Sequence, residues 1–413
     1  MRLNKFIGDS FLMILSSGIA QVILIITTPI ITRLYSPTEF GEFTIFSNIA
    51  MILIPIINAR YDLLIVNTKN DRSANILSQI SFLISLLILL ILIPIFAISA
   101  CLYPNFILDF IFIIIIMLFL VSLTNIFTNY LNKERKYKVL SLINVFRAGS
   151  MALLQIIFGL LALGSLGLII GFSLSYIAGI TLGYKTFKKH FNIVRDKEET
   201  KALFLENKNQ LVYSTPSILL NSLSFSVVVF FIGILYTNTE VGIYGMAIRV
   251  LGIPVTIISL GLSKIFMQQA NDYYIEHGNF RNLLLKFSSI LVIVSIILYV
   301  PLYLFSEELV NILLGHSWVD AITVIKIVIP LFVIRLIVST VSLSVIVLQK
   351  QQLELILQAL FLIGTTATFV ISKMLNLTFL NFVSINTIVL IVSYMIFFIA
   401  LYYFAKNKQF KNS

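Results

Sequence analysis

Charge is what this sequence has least of. Charged residues make up 11% of its 413 positions, where a soluble globular chain carries about 25%. Hydrophobic residues reach 59%, and the mean hydropathy is +1.02. Too few polar side chains remain to coat a soluble core of that size, so a soluble globular protein is excluded. Cysteine is nearly absent as well. Cys101 stands alone, which excludes an intrachain disulfide, and a lone cysteine in an apolar run reads as packing. The three histidines, His190, His277 and His316, fall in three separate loops. No metal-ligand spacing results, and neither metal nor cofactor is expected. The first apolar run, 11–31, is too long for a signal peptide and lacks a small-residue cleavage site after it, so it reads as a first span.

What the sequence does have is long hydrophobic runs. Those at 80–98 and 106–123 are long enough to cross a hydrocarbon core of roughly 30 Å at 1.5 Å per residue. Hydrophobic windows fall at 9–32, 43–66, 75–100, 106–131, 139–163, 166–187, 211–236, 241–267, 284–305, 321–347, 353–373 and 378–404. The expected fold is therefore an all-α integral membrane protein of about twelve transmembrane helices, with both ends on one side.

The net charge of +11 raises nucleic acid as a partner, but its distribution argues otherwise. Of the 29 basic residues, four lie within spans, and Arg33, Lys326 and Lys373 lie at or near the side opposite the termini. The other 22 fall on the side of the termini. By the positive-inside rule that side is cytoplasmic. The basic charge is a topology signal, and no nucleic-acid partner is expected.

The longest polar stretch, 185–210, separates six windows from six. Across it the sequence repeats. Leu34-Tyr35-Ser36-Pro37-Thr38-Glu39-Phe40-Gly41-Glu42-Phe43 matches Leu235-Tyr236-Thr237-Asn238-Thr239-Glu240-Val241-Gly242-Ile243-Tyr244 at an offset of 201. At the same offset Asn70-Asp71 matches Asn271-Asp272, and Leu131-Asn132-Lys133 resembles Leu348-Gln349-Lys350. Six spans per half is an even number, so the halves share one orientation and form a parallel repeat. The expectation is two pseudo-symmetric six-helix lobes around a central cavity. The N-terminal lobe is 1–187, the linker 188–210 is cytoplasmic, the C-terminal lobe is 211–404, and the tail is 405–413.

Arg60, Arg147, Arg249 and Arg335 lie within spans, and no acidic residue lies at the middle of any span. An arginine at a helix centre costs ~2.5–3.5 kcal/mol on the insertion scale, so these four should face water or a partner. In the eighth span Gly245, Arg249, Gly252, Thr256, Ser259 and Ser263 share one stripe. In the tenth, Arg335, Ser339, Ser342 and Gln349 do the same. The fifth offers Asn144, Arg147 and Gln155 on one face, the first Ser10, Ser17, Gln21 and Thr28, and the seventh Ser214, Ser217, Asn221 and Ser224. Small-polar stripes alone fit helix-on-helix packing equally well. An arginine on the stripe favours a wet cavity, because close packing leaves no room for an unpaired guanidinium. Gln21, Asn144, Gln155, Asn221, Thr256, Ser259, Ser339 and Ser342 are thus candidate lumen residues. Arg60 is the weakest of the arginines, since it is near enough to a span end to snorkel. A cavity rich in arginine and poor in acid favours an anion, and the planar fork of arginine suits phosphate. The expected cargo carries phosphate, pyrophosphate or acidic sugar. Asp9 and Asp62 are candidate coupling carboxylates for a proton or sodium ion, and solvation explains them equally well.

The segment Thr32-Arg33-Leu34-Tyr35-Ser36-Pro37-Thr38-Glu39-Phe40-Gly41, followed by Arg60-Tyr61-Asp62 and Lys69-Asn70-Asp71, resembles the start of the polysaccharide (O-antigen type) flippases, the Wzx-like family. These belong to the multidrug/oligosaccharidyl-lipid/polysaccharide exporter superfamily. Twelve spans, the two-lobe repeat and the basic loop 132–138 extend the likeness over essentially the whole chain. The second half lacks an Arg-Tyr-Asp equivalent, so no role of Arg60 transfers to it. The resemblance implies translocation of an undecaprenyl-pyrophosphate-linked oligosaccharide across the cytoplasmic (inner) membrane, for O-antigen or capsule biosynthesis. The mechanism would be alternating access without covalent chemistry. Arg249, Arg335, Arg147 and Arg60 would bind substrate, and a polysaccharide polymerase and chain-length machinery are candidate partners. An ion-coupled multidrug exporter of the same fold is the alternative within transport. A membrane-embedded polysaccharide polymerase or ligase is the alternative among enzymes. The enzyme would need a site in the loop 306–320, where Glu307, Glu308, His316 and Asp320 lie.

Overall fold

A computed structural model describes the backbone of residues 2–102, 104–350 and 352–406, and the side chains of 12–13, 15–98, 110–259, 261–350 and 352–406. Asp9, Ser10 and Cys101 lie outside the described side chains. The described residues form helices joined by short turns, with no strand among them.

Among the described residues, eleven helices are long and apolar enough to cross a membrane. The first half comprises α1 (Arg2–Leu34), α2 (Pro37–Leu53), α3 (Tyr61–Leu64), α4 (Asp71–Leu102), α5 (Pro104–Lys133), α6 (Tyr137–Leu160), α7 (Ser165–Leu174), α8 (Ile177–His190) and α9 (Lys197–Glu206). The second comprises α10 (Thr215–Leu235), α11 (Asn238–His277), α12 (Arg281–Leu304), α13 (Ser306–Leu313), α14 (Ala321–Val341), α15 (Ser344–Val347), α16 (Gln352–Leu375) and α17 (Phe379–Phe404). Side chains such as Leu90, Phe112, Ile297 and Ile363 are exposed on these helices. Lipid is the solvent that tolerates such a surface, and helices satisfy their own backbone within it.

The second hydrophobic window, 43–66, is not one continuous helix. α2 stops at Leu53, residues 54–60 form turns, and α3 follows with four residues. Pro55 supplies the reason, as it lacks an N–H and its ring crowds the preceding turn. Ala59 and Arg60 then adopt φ of 43° and 62°, the left-handed region that L residues rarely enter. Hydropathy runs straight across this break and gives no sign of it.

By packing, the chain divides into two compact units. One comprises Met1–Tyr35 with Glu42–Ser226, and the other Ser36–Gly41 with Val227–Ser413. In the first unit α1 packs on α6, α4 on α5, and α5 on α8. Its core includes Tyr61, Ile65, Leu77, Ile80, Phe127 and Tyr130. The polar stretch 188–210 packs against this unit. Its α9 lies on α4, Phe204 stacks on Tyr61, and Arg72 bridges to Asp196 at 3.0 Å and Glu199 at 2.6 Å. In the second unit α14 is the central helix, packing on α11, α12 and α17.

The repeat detected in the sequence is a structural one. Ser36 and Glu39 form a reciprocal cap, the Ser36 N–H donating to Glu39 Oε2 at 2.7 Å and the Glu39 N–H to Ser36 Oγ at 3.3 Å. Thr237 and Glu240 repeat it at 2.8 and 3.4 Å. Two orphan helix donors are satisfied each time. Tyr35 donates its hydroxyl to the Gln155 carbonyl at 2.6 Å, and Tyr236 donates to the Leu377 carbonyl at 2.9 Å.

Candidate functional site: the intramembrane arginines and a buried polar ladder

In the second unit, α11 and α14 each contribute one arginine. The guanidinium of Arg249 lies 5.8 Å from the Phe40 ring centroid, and its Nη2 is shut from solvent with no hydrogen-bond partner. Arg335 sits 5.3 Å from the Phe332 ring. The buried hydroxyl-bearing rings of Tyr244, Tyr299 and Tyr394 lie within its electrostatic reach. Hydropathy patterning did not single out these tyrosines, because an aromatic inside an apolar run carries no periodic signal of its own. Tyr299 also donates to the Leu251 carbonyl at 2.9 Å, which fixes α12 against α11 close to Arg249.

The polar stripes divide into two uses. Ser259 on α11 hydrogen-bonds Ser339 at 2.9 Å and Thr340 at 3.1 Å, both on α14. These hydroxyls join the two helices, and Ser259 and Ser339 remain half-buried. Ser342 donates to the Ser339 carbonyl at 3.0 Å, and the exposed Thr256 to the Gly252 carbonyl at 3.0 Å. Asn221 on α10 is half-buried, and its carbonyl accepts from Ser224 at 2.7 Å.

In the first unit Arg147 rests 4.5 Å from the Tyr176 ring, a cation–π pair worth about 0.5–2 kcal/mol. Asn144 and Gln21 are half-buried. Gln155 is fully buried, donating to the Leu168 carbonyl at 3.0 Å where α7 packs on α6. Its side chain is thus committed to the contact of α7 with α6. Arg60 sits at the break before α3, with its Nε buried and unpartnered. None of Arg60, Arg147 and Arg249 forms an ion pair with a carboxylate among the described residues.

Asp62 is buried and belongs to a ladder of polar side chains that the sequence did not reveal. Asn129 Nδ2 donates to Asp62 Oδ2 at 2.9 Å, and one turn earlier Asn125 Nδ2 donates to Asn58 Oδ1 at 3.1 Å. Asn58 Nδ2 in turn donates to Ser122 Oγ at 2.8 Å and the Ser81 carbonyl at 3.4 Å. The pairs 58/62 and 125/129 are each four residues apart, which was the available signal. The intervening helix break hid it.

Two further clusters were tested against chemistry. Asp71, Glu134 and His190 bring potential ligand atoms within 4.8 Å of one another, so the fold gathers what the loops kept apart. His190 ends α8. The Lys133 ammonium already hydrogen-bonds Asp71 and lies 3.6 Å from Glu134, supplying there the charge a metal would bring. Glu307, Glu308, His316 and Asp320 are all exposed, and no ion pair joins them among the described residues. They offer no buried, mutually positioned acid and base.

A family described as polysaccharide biosynthesis protein matches residues 30–323. The chain belongs to that family. Among curated proteins, none matches the sequence. Solved structures share the fold. The lipid II flippase MurJ in an inward closed conformation aligns with a TM-score of 0.72 at 14% identity, covering 96% of this chain and 87% of that one. An inward-facing multidrug resistance MATE family transporter of the MOP superfamily aligns at 0.66 and 15% identity, covering 95% and 93%. A MOP superfamily transporter from Pyrococcus furiosus, described as having a binding pocket of reverse polarity, aligns at 0.57 and 15%, covering 96% and 94%. The chain is a multi-pass membrane protein with the fold of these transporters.

Proposed function

We propose that this chain is a flippase that carries an undecaprenyl-pyrophosphate-linked oligosaccharide across the cytoplasmic membrane by alternating access, in the synthesis of a surface polysaccharide such as O-antigen or capsule. The observation that carries the reading is Arg249. A guanidinium with a buried, unpartnered Nη2 inside an apolar helix is costly unless an anion completes it. The diphosphate of a lipid-linked sugar is such an anion, and it matches the bidentate geometry of arginine. Arg335 on the neighbouring α14 adds a second positive charge, with Arg147 and Arg60 as the candidates of the first unit. Membership of a polysaccharide biosynthesis family supports a glycan cargo. The fold likeness to MurJ, described as a lipid II flippase, supports a lipid-linked one. The basic-residue asymmetry supports cytoplasmic termini. The test is glycan export in a flippase-null strain carrying this chain, with membrane abundance checked in parallel. Restored surface glycan is expected. A chain that inserts normally and restores none overturns the reading. An exporter of cationic drugs, sharing the same fold, would need carboxylates where Arg249 and Arg335 stand.

A further inference from the structure

We propose that the turn between α5 and α6 and the last turns of α8 form a binding site for the phosphate of an anionic phospholipid, whose acyl chains lie along the exposed faces of α6 and α8. The site stands apart from the intramembrane arginines and does not depend on the flippase reading.

Six basic side chains meet there. Arg135, Lys136 and Lys138 come from the α5–α6 turn and the start of α6, and Lys185, Lys188 and Lys189 from the end of α8. α6 packs on α8, and Lys136 Nζ donates to Thr186 Oγ1 at 3.3 Å, which joins the two sets. None of the six forms an ion pair among the described residues. Asp71 and Glu134, at the same ends of α4 and α5, are engaged by Lys133, and His190 also faces Asp71.

A water-facing surface does not need such an excess of one sign. The stretch 195–208 shows the balanced pattern, with Arg195, Lys197, Lys201 and Lys208 set among Asp196, Glu198, Glu199 and Glu206. Helix dipoles do not explain the excess either. They favour cations at the end of α8 but disfavour them at the start of α6, where the first turn carries no acid and no side-chain cap. Arg135 adds a backbone cost. Its φ is 55°, and it closes α5 where the Lys136 N–H bonds the Leu131 carbonyl at 2.9 Å, a position that glycine usually takes. Strain of this kind collects at functional sites.

The patch also sits at the head of lipid-facing stripes. Lys138, Leu142, Phe146, Leu153 and Leu160 share one face of α6, and Ile177, Thr181, Tyr184 and Lys188 share one face of α8. All of them are exposed. The Lys188 ammonium lies 5.9 Å from the Tyr184 ring, and aromatic rings of this kind mark headgroup level. A phospholipid meets both demands at once, with hydrocarbon along the stripes and phosphate at their ends. Basic pockets between membrane helices recognise lipid phosphates in this way.

The test uses the purified full chain in a neutral detergent. Thermal unfolding is followed over a series of dioctanoyl phosphatidylglycerol, the same series of dioctanoyl phosphatidylcholine, and inorganic phosphate at matched ionic strength. A ligand that binds only the folded state raises Tm saturably. Phosphatidylglycerol should raise Tm and phosphatidylcholine should not, and the rise should shrink with added salt. In a variant combining Arg135→Gly, Lys136→Gln, Lys138→Gln and Lys188→Gln, half-saturating phosphatidylglycerol should increase about tenfold or more. Lys197→Gln with Lys201→Gln and Lys208→Gln, outside the patch, should leave the response unchanged. Arg135→Gly alone relieves the backbone. A weakened response from it, with Tm undiminished in the absence of lipid, separates lost binding from lost folding and carries the test should the combined variant fail to fold. The proposal is overturned if both lipids act alike, if inorganic phosphate reproduces the effect, or if the patch variants respond as the wild type does. Equal weakening in the variant outside the patch overturns it as well, since bulk charge would then be the cause.

Discussion

The hydroxyls of Thr38 and Thr239 lie 2.7 Å apart, and 201 positions of chain separate them. They occupy the same place in the two copies of the repeat, so each copy meets its own counterpart. Gly41 and Gly242 do likewise. A Cβ on Gly41 would stand 1.8 Å from the Asn238 carbonyl oxygen, and one on Gly242 would stand 1.8 Å from that of Pro37. The N-terminal turns of α2 and α11 therefore cross backbone to backbone, as small residues permit between membrane helices.

Gly41→Ala and Gly242→Ala should each lower thermal stability, by about 1–3 kcal/mol if the backbones part to admit the methyl group. Gly149→Ala, which meets nothing within 4 Å in the same kind of helix, should be neutral or stabilising by up to about 1 kcal/mol. Thermal unfolding of the three variants checks this. Equal losses in all three would remove the crossing as the cause.

Thr38→Cys combined with Thr239→Cys, in a Cys101→Ser background, should form a disulfide on mild oxidation. Mass spectrometry of a protease digest reads the cross-linked peptide pair. Absence of the bond, with both thiols reactive to maleimide, would show that the two turns do not meet in the membrane.

Tyr35→Phe and Tyr236→Phe each delete one hydroxyl donated to a carbonyl, of Gln155 and Leu377 respectively. Each should cost about 1 kcal/mol. Denaturation midpoints of the two variants make the comparison.

Arg249→Ala and Arg335→Ala should reduce glycan export while the protein remains in the membrane, since removing a costly charge relieves insertion. Arg→Lys at either position keeps the charge but loses the planar fork, and should be partly defective. Export by both alanine variants at the wild-type rate would rule out an arginine-held anion. Their disappearance from the membrane would instead assign these side chains to packing.

Reporter fusions after Lys208 and Lys411 should be active on the cytoplasmic side, as the basic-residue asymmetry requires. Activity confined to the outside would invert the topology and with it the proposed direction of transport.

The sequence by itself determined the spans, their approximate number and the internal repeat. Each of these is written as a one-dimensional pattern, whether a run of apolar residues, a count of charges or a segment recurring at offset 201. Arg147, Arg249 and Arg335 were legible for the same reason, because a charge in an apolar run is visible without coordinates. Tertiary structure alone decided which neighbours each side chain has. Ser259 and Ser339 share a face with their arginines, yet they hydrogen-bond each other across α11 and α14, and periodicity cannot tell a helix contact from a wall of water. Gln155 turned into the packing of α6 on α7 for the same reason. The break at 54–60 left the hydropathy unchanged, so only the backbone showed it. That break sets Asn58 and Asp62 opposite Asn125 and Asn129, 67 positions away in each pair, and no local pattern encodes a pairing across that distance.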